Sequence, residues 1–124
     1  MKYLIILLAT SLLLIGCSKN EDESLYPPTP SEPVKVYIYS VTSTPTTGES
    51  ITIKNNYGST QDITAWTLGD KNDPTAYKIP VGTILIQGGM KTFSRSTIGF
   101  QINDSGEILY LKNKSGSTID TWSN

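Results

Sequence analysis

The residue types between positions 34 and 124 favour β-strands over helices. Threonine, isoleucine, valine and tyrosine total 34 residues there, whereas leucine, alanine and methionine, the strong apolar helix formers, total 7. β-Branched and aromatic side chains fit the pleated surface of a sheet better than the crowded surface of a helix. Nine glycines interrupt the segment at short intervals, which is typical of short strands joined by turns. The segment therefore predicts an all-β sandwich or barrel with no substantial helix.

Side-chain alternation within the predicted strands separates a core face from an outward face. Residues at i and i+2 of a strand lie on the same face, so aliphatic side chains at every second position mark the buried one. Segments 34–41, 49–54, 63–68 and 107–112 show this pattern. We expect Trp66, the largest apolar side chain of the set, to lie at the centre. The predicted core comprises Val36, Ile38, Ile51, Ile53, Trp66, Leu68, Leu109 and Leu111.

The same alternation predicts that several large side chains point outward. These are Tyr37, Tyr39, Ile108, Tyr110 and Trp122. If the strands that carry them are neighbours in one sheet, the side chains form an apolar patch of the kind that binds a partner. The alternative is scattered cross-strand pairing that only stiffens the sheet.

The N-terminal segment has the features of an export signal. An apolar run of 12 residues extends from Leu4 to Ile15 after a single lysine. A membrane-spanning helix needs about 20 apolar residues, so this length is typical of a signal-peptide core. The sequence Leu14-Ile15-Gly16-Cys17 resembles the bacterial lipobox, in which the cysteine thiol receives diacylglycerol. We therefore expect residues 1–16 to be a lipoprotein signal peptide and Cys17 to carry lipid, including palmitate.

Residues 17–33 are predicted to form the lipidated cysteine and a proline-rich, acidic tether. Four of the seven prolines lie there and favour an extended polyproline II conformation, although a PxxP ligand is an alternative interpretation. No aspartate follows Cys17, and such an aspartate marks inner-membrane retention in many Gram-negative lipoproteins. The cluster at 21–23 resembles the signal that exports some lipoproteins to the cell exterior, or is a solvated charge run. We therefore expect a lipid-anchored protein of the bacterial outer membrane that faces the cell exterior.

The amino-acid composition excludes most of the common types of catalytic site. The chain has no histidine and a single cysteine, which removes imidazole acid–base chemistry, thiolate or imidazole zinc sites and disulfides. The formal net charge is −1, and no basic stripe indicates a nucleic-acid partner. We therefore predict a protein that is not an enzyme and has no cofactor.

Two groups of carboxylates are weak candidates for other roles. Asp70, Asn72 and Asp73 supply oxygen ligands of the kind that calcium prefers, but their spacing is not that of an EF-hand. A solvated turn stopped by proline is the preferred interpretation. Asp104 and Glu107 flank a predicted hairpin turn, where we expect Glu107 to be exposed and both residues to be structural.

The order of motifs along the chain resembles that of the lamin tail domain family. The family pattern has a glutamate that opens a strand ending in Asn-Asn, an apolar-x-x-Trp-x-Leu strand, a Gly-Gly turn and an Asn-x-Gly-acid hairpin ending in aspartate. The corresponding residues are Glu49, Asn55, Asn56, Ile63, Trp66, Thr67, Leu68, Asp70, Pro80, Gly82, Thr83, Gly88, Gly89, Asn103 to Glu107, and Asp120. The resemblance covers positions 34 to 122 and implies that domain 34–124 is an immunoglobulin-like β-sandwich.

The resemblance also implies a function. It favours a non-catalytic, surface-anchored binding or structural module of the bacterial envelope, attached to the membrane through Cys17 and directed at an unknown protein or polymer. Lamin tail domains are discussed as modules that interact with DNA and proteins, and bacterial ones often accompany secreted nucleases or phosphoesterases. The alternative function is therefore an attachment subunit for an extracellular nuclease or phosphoesterase, with weak DNA binding.

Overall fold

The computed structural model describes residues 35–124, which are almost entirely strands and turns. The helical content of this region is a 3₁₀ turn at Thr46–Gly48 and one short helix, α1 (Arg95–Ile98). The signal peptide, Cys17 and the tether lie outside the described residues. The strands are β1 (Val36–Thr42), β2 (Ser50–Asn55), β3 (Gln61–Asp62), β4 (Thr67–Asp70), β5 (Tyr77–Lys78), β6 (Ile84–Leu85), β7 (Met90–Ser94), β8 (Ile108–Lys112) and β9 (Thr118–Ser123).

These strands form an immunoglobulin-like β-sandwich, as the sequence predicted. Sheet 1 has the order β1-β2-β7, and sheet 2 has the order β5-β4-β8-β9. A small separate pair joins β3 to β6, and all described pairings are antiparallel. No helix in the region that the structure describes has the length and apolar character needed to cross a membrane.

The core between the sheets contains most of the residues that alternation indicated. Seven of the eight are buried: Val36, Ile38, Ile51, Ile53, Leu68, Leu109 and Leu111. Strand β7 adds Phe93, and the loops and shorter elements add Ile63, Ile79, Leu85, Ile98 and Ile102. The cluster draws its side chains from strands and loops between Val36 and Trp122. Because the described residues form one continuous core between the two sheets, we expect the domain to fold as a unit.

Trp66 is not at the centre of the core, so the prediction for this residue was wrong. It is half-buried and packs against the edge of the cluster. The backbone turns before it: the Thr64 amide donates to Asp62 Oδ1 at 2.9 Å, and the Trp66 amide donates to the Ile63 carbonyl at 3.2 Å. Ala65 has a φ of 61°. Strand alternation therefore does not extend across 63–68, and β4 begins only at Thr67.

A β-bulge in β1 changes which side chains face the core. Ile38 pairs with Ile53, but the next paired residue of β1 is Ser40, so Tyr39 is the extra residue. The alternation shifts by one position beyond the bulge, and Val41 packs against the core opposite Ile51. Tyr39 keeps the outward orientation that alternation predicts, and the bulge places Ser40 beside it on the outer face of sheet 1.

The carboxylate of Asp120 connects the two sheets at the side where β1 lies beside β9. Its Oδ2 accepts the Ile38 amide at 2.9 Å, and its Oδ1 pairs with Lys35 Nζ at 2.5 Å. A backbone donor on the free side of β1 therefore has a charged acceptor from the opposite sheet.

The buried carboxylates of Glu49 and Glu107 accept hydrogen bonds from loop residues. Glu49 is 2% exposed, and its Oε2 accepts the Ile102 amide at 3.0 Å while Oε1 lies 3.5 Å from Arg95 Nη1. Glu107 is fully buried, so its predicted exposure was wrong. Its Oε2 accepts both the backbone amide and the side-chain amide of Asn103, at 2.9 and 2.7 Å. Glu107 is therefore buried because its carboxylate closes the loop that begins at Asn103.

Candidate binding surface

The outer face of sheet 1 carries an aromatic and cationic cluster, which consists of Tyr37, Tyr39, Lys54 and Met90. The rings of Tyr37 and Tyr39 meet edge to face, with centroids 6.3 Å apart and planes inclined at 69°. Lys54 Nζ lies 5.1 Å from the Tyr39 ring centroid, which is within the range of a cation–π interaction. Met90 is opposite Lys54 in the sheet register.

The four members of this cluster differ in exposure. Tyr39 is 49% exposed and Met90 is 56% exposed. Tyr37 is only 9% exposed, so its predicted exposure was wrong. Part of the reason is that the Tyr39 ring packs against it. Tyr39 is therefore the aromatic side chain of this face that a partner can reach most easily.

The outer face of sheet 2 carries Tyr110 and Ile108. Lys112 Nζ lies 6.0 Å from the Tyr110 ring centroid, so a tyrosine and lysine pair occurs on this sheet too. Here, however, Tyr110 is half-buried and Ile108 is 37% exposed. These two residues and the tyrosines of β1 belong to different sheets, so the predicted single patch does not form.

A loop of the chain itself covers part of sheet 2 next to Tyr110. Gly69 is the residue of β4 opposite Tyr110. A Cβ atom at Gly69 would lie 2.0 Å from the Asp73 carbonyl oxygen and 2.7 Å from Pro74 Cα. The loop after β4 thus passes directly over a position that only glycine permits. Lys71 in the same loop donates to the Gly106 carbonyl at 2.7 Å.

Trp122 faces the core, which corrects its predicted outward orientation. It is opposite Leu109 in the register of β8 and β9. Directly opposite residues of an antiparallel pair share a face, and Leu109 is fully buried. Trp122 is half-buried and packs against the core, so it does not belong to an outer surface.

The weak calcium candidates form a hydrogen-bonded turn. Asp70 Oδ1 accepts the amides of Asn72 and Asp73, each at 2.8 Å. Asp73 Oδ1 accepts the Thr75 amide at 3.0 Å and the Thr75 hydroxyl at 3.1 Å. Among residues 35–124, no group of three or more histidine, cysteine or acidic side chains is arranged to hold a metal ion. The described contacts of these carboxylates order the backbone.

The carboxyl group of Asp62 has a perturbed pKa, but its surroundings are those of a turn. The Thr64 hydroxyl and then the Thr64 amide hold the pKa of Asp62 below its ordinary value, and the positive charge of Lys114 acts in the same direction. Because Asp62 is exposed, this shift reflects local turn geometry.

Side-chain alternation in the sequence indicated that Tyr39 points outward, but it did not indicate Lys54 and Met90, which complete the cluster on sheet 1. Neither residue belongs to a recognisable motif. Strand register brings these residues together, because Tyr37, Lys54 and Met90 occupy one row across β1, β2 and β7. Register depends on long-range pairing, which the local sequence does not specify.

The fold is that of a β-sandwich domain, and a comparison with protein families identifies the family to which it belongs. The chain matches the Lamin Tail Domain family over residues 29–124 and belongs to that family. The family is one of non-enzymatic, immunoglobulin-like domains. A comparison with curated proteins gave no match.

Proposed function

We propose that this protein is a non-catalytic binding module whose outer face of sheet 1 contacts a protein or polymer partner. The observation that carries the proposal is the position of Tyr39. Its ring is half-exposed, packs edge-on against Tyr37 and lies beside the Lys54 ammonium group. A large aromatic side chain that is held in place but open to solvent loses little conformational entropy on binding.

The proposal includes a location at the outer membrane, facing the cell exterior. The lipobox-like sequence that ends in Cys17 supports this part, together with the proline-rich tether that follows. Two or more acyl chains on one cysteine give stable attachment, whereas a single chain gives only marginal attachment. The module is thus held near the envelope while its sandwich remains accessible to partners.

The anchor is tested by replacing the single cysteine. Cys17→Ser in the full chain is expected to abolish incorporation of labelled palmitate, because the thiol that accepts the lipid is lost. Ser18→Ala is the matched control, since it alters the neighbouring residue and keeps the thiol. If the Cys17→Ser chain still incorporates palmitate, the anchor proposal is wrong.

The binding surface is tested by affinity capture from intact cells that display the full chain. Tyr39→Ser is expected to reduce capture of the partner roughly tenfold, as for a central interface tyrosine. Tyr110→Ser is the matched control on sheet 2 and is expected to retain capture. Loss of capture with Tyr110→Ser alone would place the binding surface on the opposite sheet.

A further inference from the structure

The outer face of sheet 1 carries two rows of hydroxyl side chains next to the aromatic and cationic cluster. Each row crosses all three strands of the sheet, and the residues that alternate with them, Val41, Ile51 and Phe93, face the core. We call the six residues of these rows the hydroxyl grid. One row consists of Ser40, Thr52 and Thr92, and the other consists of Thr42, Ser50 and Ser94.

The hydroxyl grid is accessible to a ligand. Its members on β1 and β7 are exposed, whereas Ser50 and Thr52 on the central strand are half-buried between them. Thr52 Oγ1 and Thr92 Oγ1 lie 2.8 Å apart and share a hydrogen bond. Because a hydroxyl group both donates and accepts hydrogen bonds, this pair keeps a donor and acceptor lone pairs beyond that bond. The grid can therefore donate to a ligand and accept from it.

The face that carries the grid has little charge. Strands β1, β2 and β7 contain no aspartate or glutamate. Lys54 is the cation of the cluster already described, and Lys91 lies on the inner side of the sheet because it alternates with the outward residues of β7. The charged residues directly next to these strands in sequence lie in ion pairs, Lys35 with Asp120 and Arg95 with Glu49. The surface thus matches an uncharged ligand better than a polyanion, which requires clustered cations.

We infer that the hydroxyl grid, together with Tyr39, binds a neutral polysaccharide, an inference that rests on the function proposed for this face. Sugar hydroxyl groups donate and accept hydrogen bonds as the grid does. The electron-rich face of an aromatic ring attracts the C–H groups of a sugar ring, and the Tyr39 ring is half-exposed beside the grid. A protein partner fits this composition less well. Serine is depleted at protein–protein interfaces, and serine and threonine are under-represented among the residues that dominate their binding energy.

The inference is tested by affinity electrophoresis of the full chain, solubilised in detergent, in native gels that contain a polysaccharide. Dextran, α-mannan and mixed-linkage β-glucan are the neutral probes, and polygalacturonate is the anionic one. We expect at least one neutral probe to retard the protein and polygalacturonate to leave its migration unchanged. A series of probe concentrations gives the affinity.

A pair of double variants assigns the binding to the grid. Thr52→Val with Thr92→Val keeps the β-branched shape of both side chains and removes their hydroxyl groups, so the affinity for the neutral probe should fall roughly tenfold. Thr118→Val with Thr121→Val is the matched control on β9, where both positions are exposed, and should migrate like the unmodified chain. Circular dichroism melting of each variant shows that a loss of binding is not a loss of folding.

Three results would overturn the inference. They are no retardation by any neutral probe, equal retardation of the Thr52→Val and Thr92→Val variant, and stronger retardation by polygalacturonate, which would assign an anionic polymer to the face. Capture from intact cells with Tyr39→Ser is a separate measurement. If that substitution lowers capture while no neutral probe binds, the face has a different partner and only this inference fails. Capture that Tyr39→Ser leaves unchanged would instead remove the proposed function.

Discussion

The outer faces of the two sheets carry similar residues in different surroundings. Each face has a tyrosine beside a lysine, with Lys54 near Tyr39 on sheet 1 and Lys112 near Tyr110 on sheet 2. On sheet 1 Tyr39 lies at a bulge and is half-exposed. On sheet 2 the loop after β4 lies over Gly69, opposite Tyr110. The same pair of residue types is therefore open to solvent on one face and partly covered on the other.

The exposure of an aromatic side chain on these faces depends on the path of the neighbouring loops. Lys71 connects the covering loop to the Gly106 carbonyl, and Glu107 secures the segment that contains Gly106. The loop that covers sheet 2 thus depends on a buried carboxylate, whereas the open face of sheet 1 depends on strand pairing and on the contacts of Asp120 with Ile38 and Lys35. Substitutions that affect one face and spare the other should separate these roles.

The largest expected effect comes from Glu107→Ala. It removes the buried carboxylate that accepts both amide donors of Asn103 and leaves a cavity, at an expected cost of about 3 kcal/mol or more in unfolding free energy. Urea denaturation measures the loss. Asp104→Ala, in the same loop but exposed, is the control and should change stability by less than about 0.5 kcal/mol. Equal stability of the two variants would contradict the role given to Glu107.

The next effect in size is that of Gly69→Ala on the covering loop. The new methyl group overlaps the backbone of Asp73 and Pro74, so the loop must shift, at an expected cost of about 2 kcal/mol. Gly58→Ala is the control, because a Cβ there meets nothing within 4 Å. Thermal melting compares the pair, and an unchanged Gly69→Ala midpoint would show that the loop does not cover the sheet tightly.

A smaller effect distinguishes the two tyrosines. Tyr110→Ser removes a half-buried ring and is expected to cost about 1 kcal/mol, whereas Tyr39→Ser removes a more exposed ring and should cost less than about 0.5 kcal/mol. Denaturation of the two variants in parallel measures the difference. A larger loss for Tyr39→Ser would reverse the comparison between the faces.

The smallest effect concerns the pKa of Asp62, in the turn before β4. Thr64→Val removes the hydroxyl that lowers this pKa, so the pKa should rise in an NMR titration. Since the folded pKa is below the unfolded value, the stabilisation is present above the unfolded pKa and is lost as pH falls through the folded pKa. The Thr64→Val protein should therefore show a weaker dependence of stability on acid pH. Ser59→Ala is the control and should leave the Asp62 titration unchanged.

The sequence predicted the sandwich and much of its core because β2 and β8 alternate strictly. Ile51 and Ile53 are buried, as are Leu109 and Leu111. Alternation failed at Trp66 because an aspartate-capped turn interrupts the segment before it. Hydrogen bonds between a side chain and its neighbouring backbone compete with strand pairing, and residue type alone does not show whether a turn or a strand forms.

The candidate surface was only partly predictable for a different reason. Alternation identified Tyr39 as outward, but whether β1 and β8 share a sheet depends on long-range pairing. The structure places them in separate sheets and turns Trp122 inward through its register with Leu109. The register of β2 and β7 was needed to place Lys54 and Met90 on the same surface as Tyr39. Side-chain alternation thus indicates which face of a strand a residue occupies, and the sheet topology determines which strands contribute to one surface.

Photo-crosslinking in intact cells compares partner binding by the two outer faces, with the reactive residue placed at Thr92 on sheet 1 or Thr121 on sheet 2. Both positions are exposed and lie on the outer faces, in rows with Thr52 and Tyr110 respectively. We expect a discrete crosslinked partner from position 92, suppressed by Tyr39→Ser, and little product from position 121. A partner crosslinked from position 121 and not from position 92 would contradict this expectation.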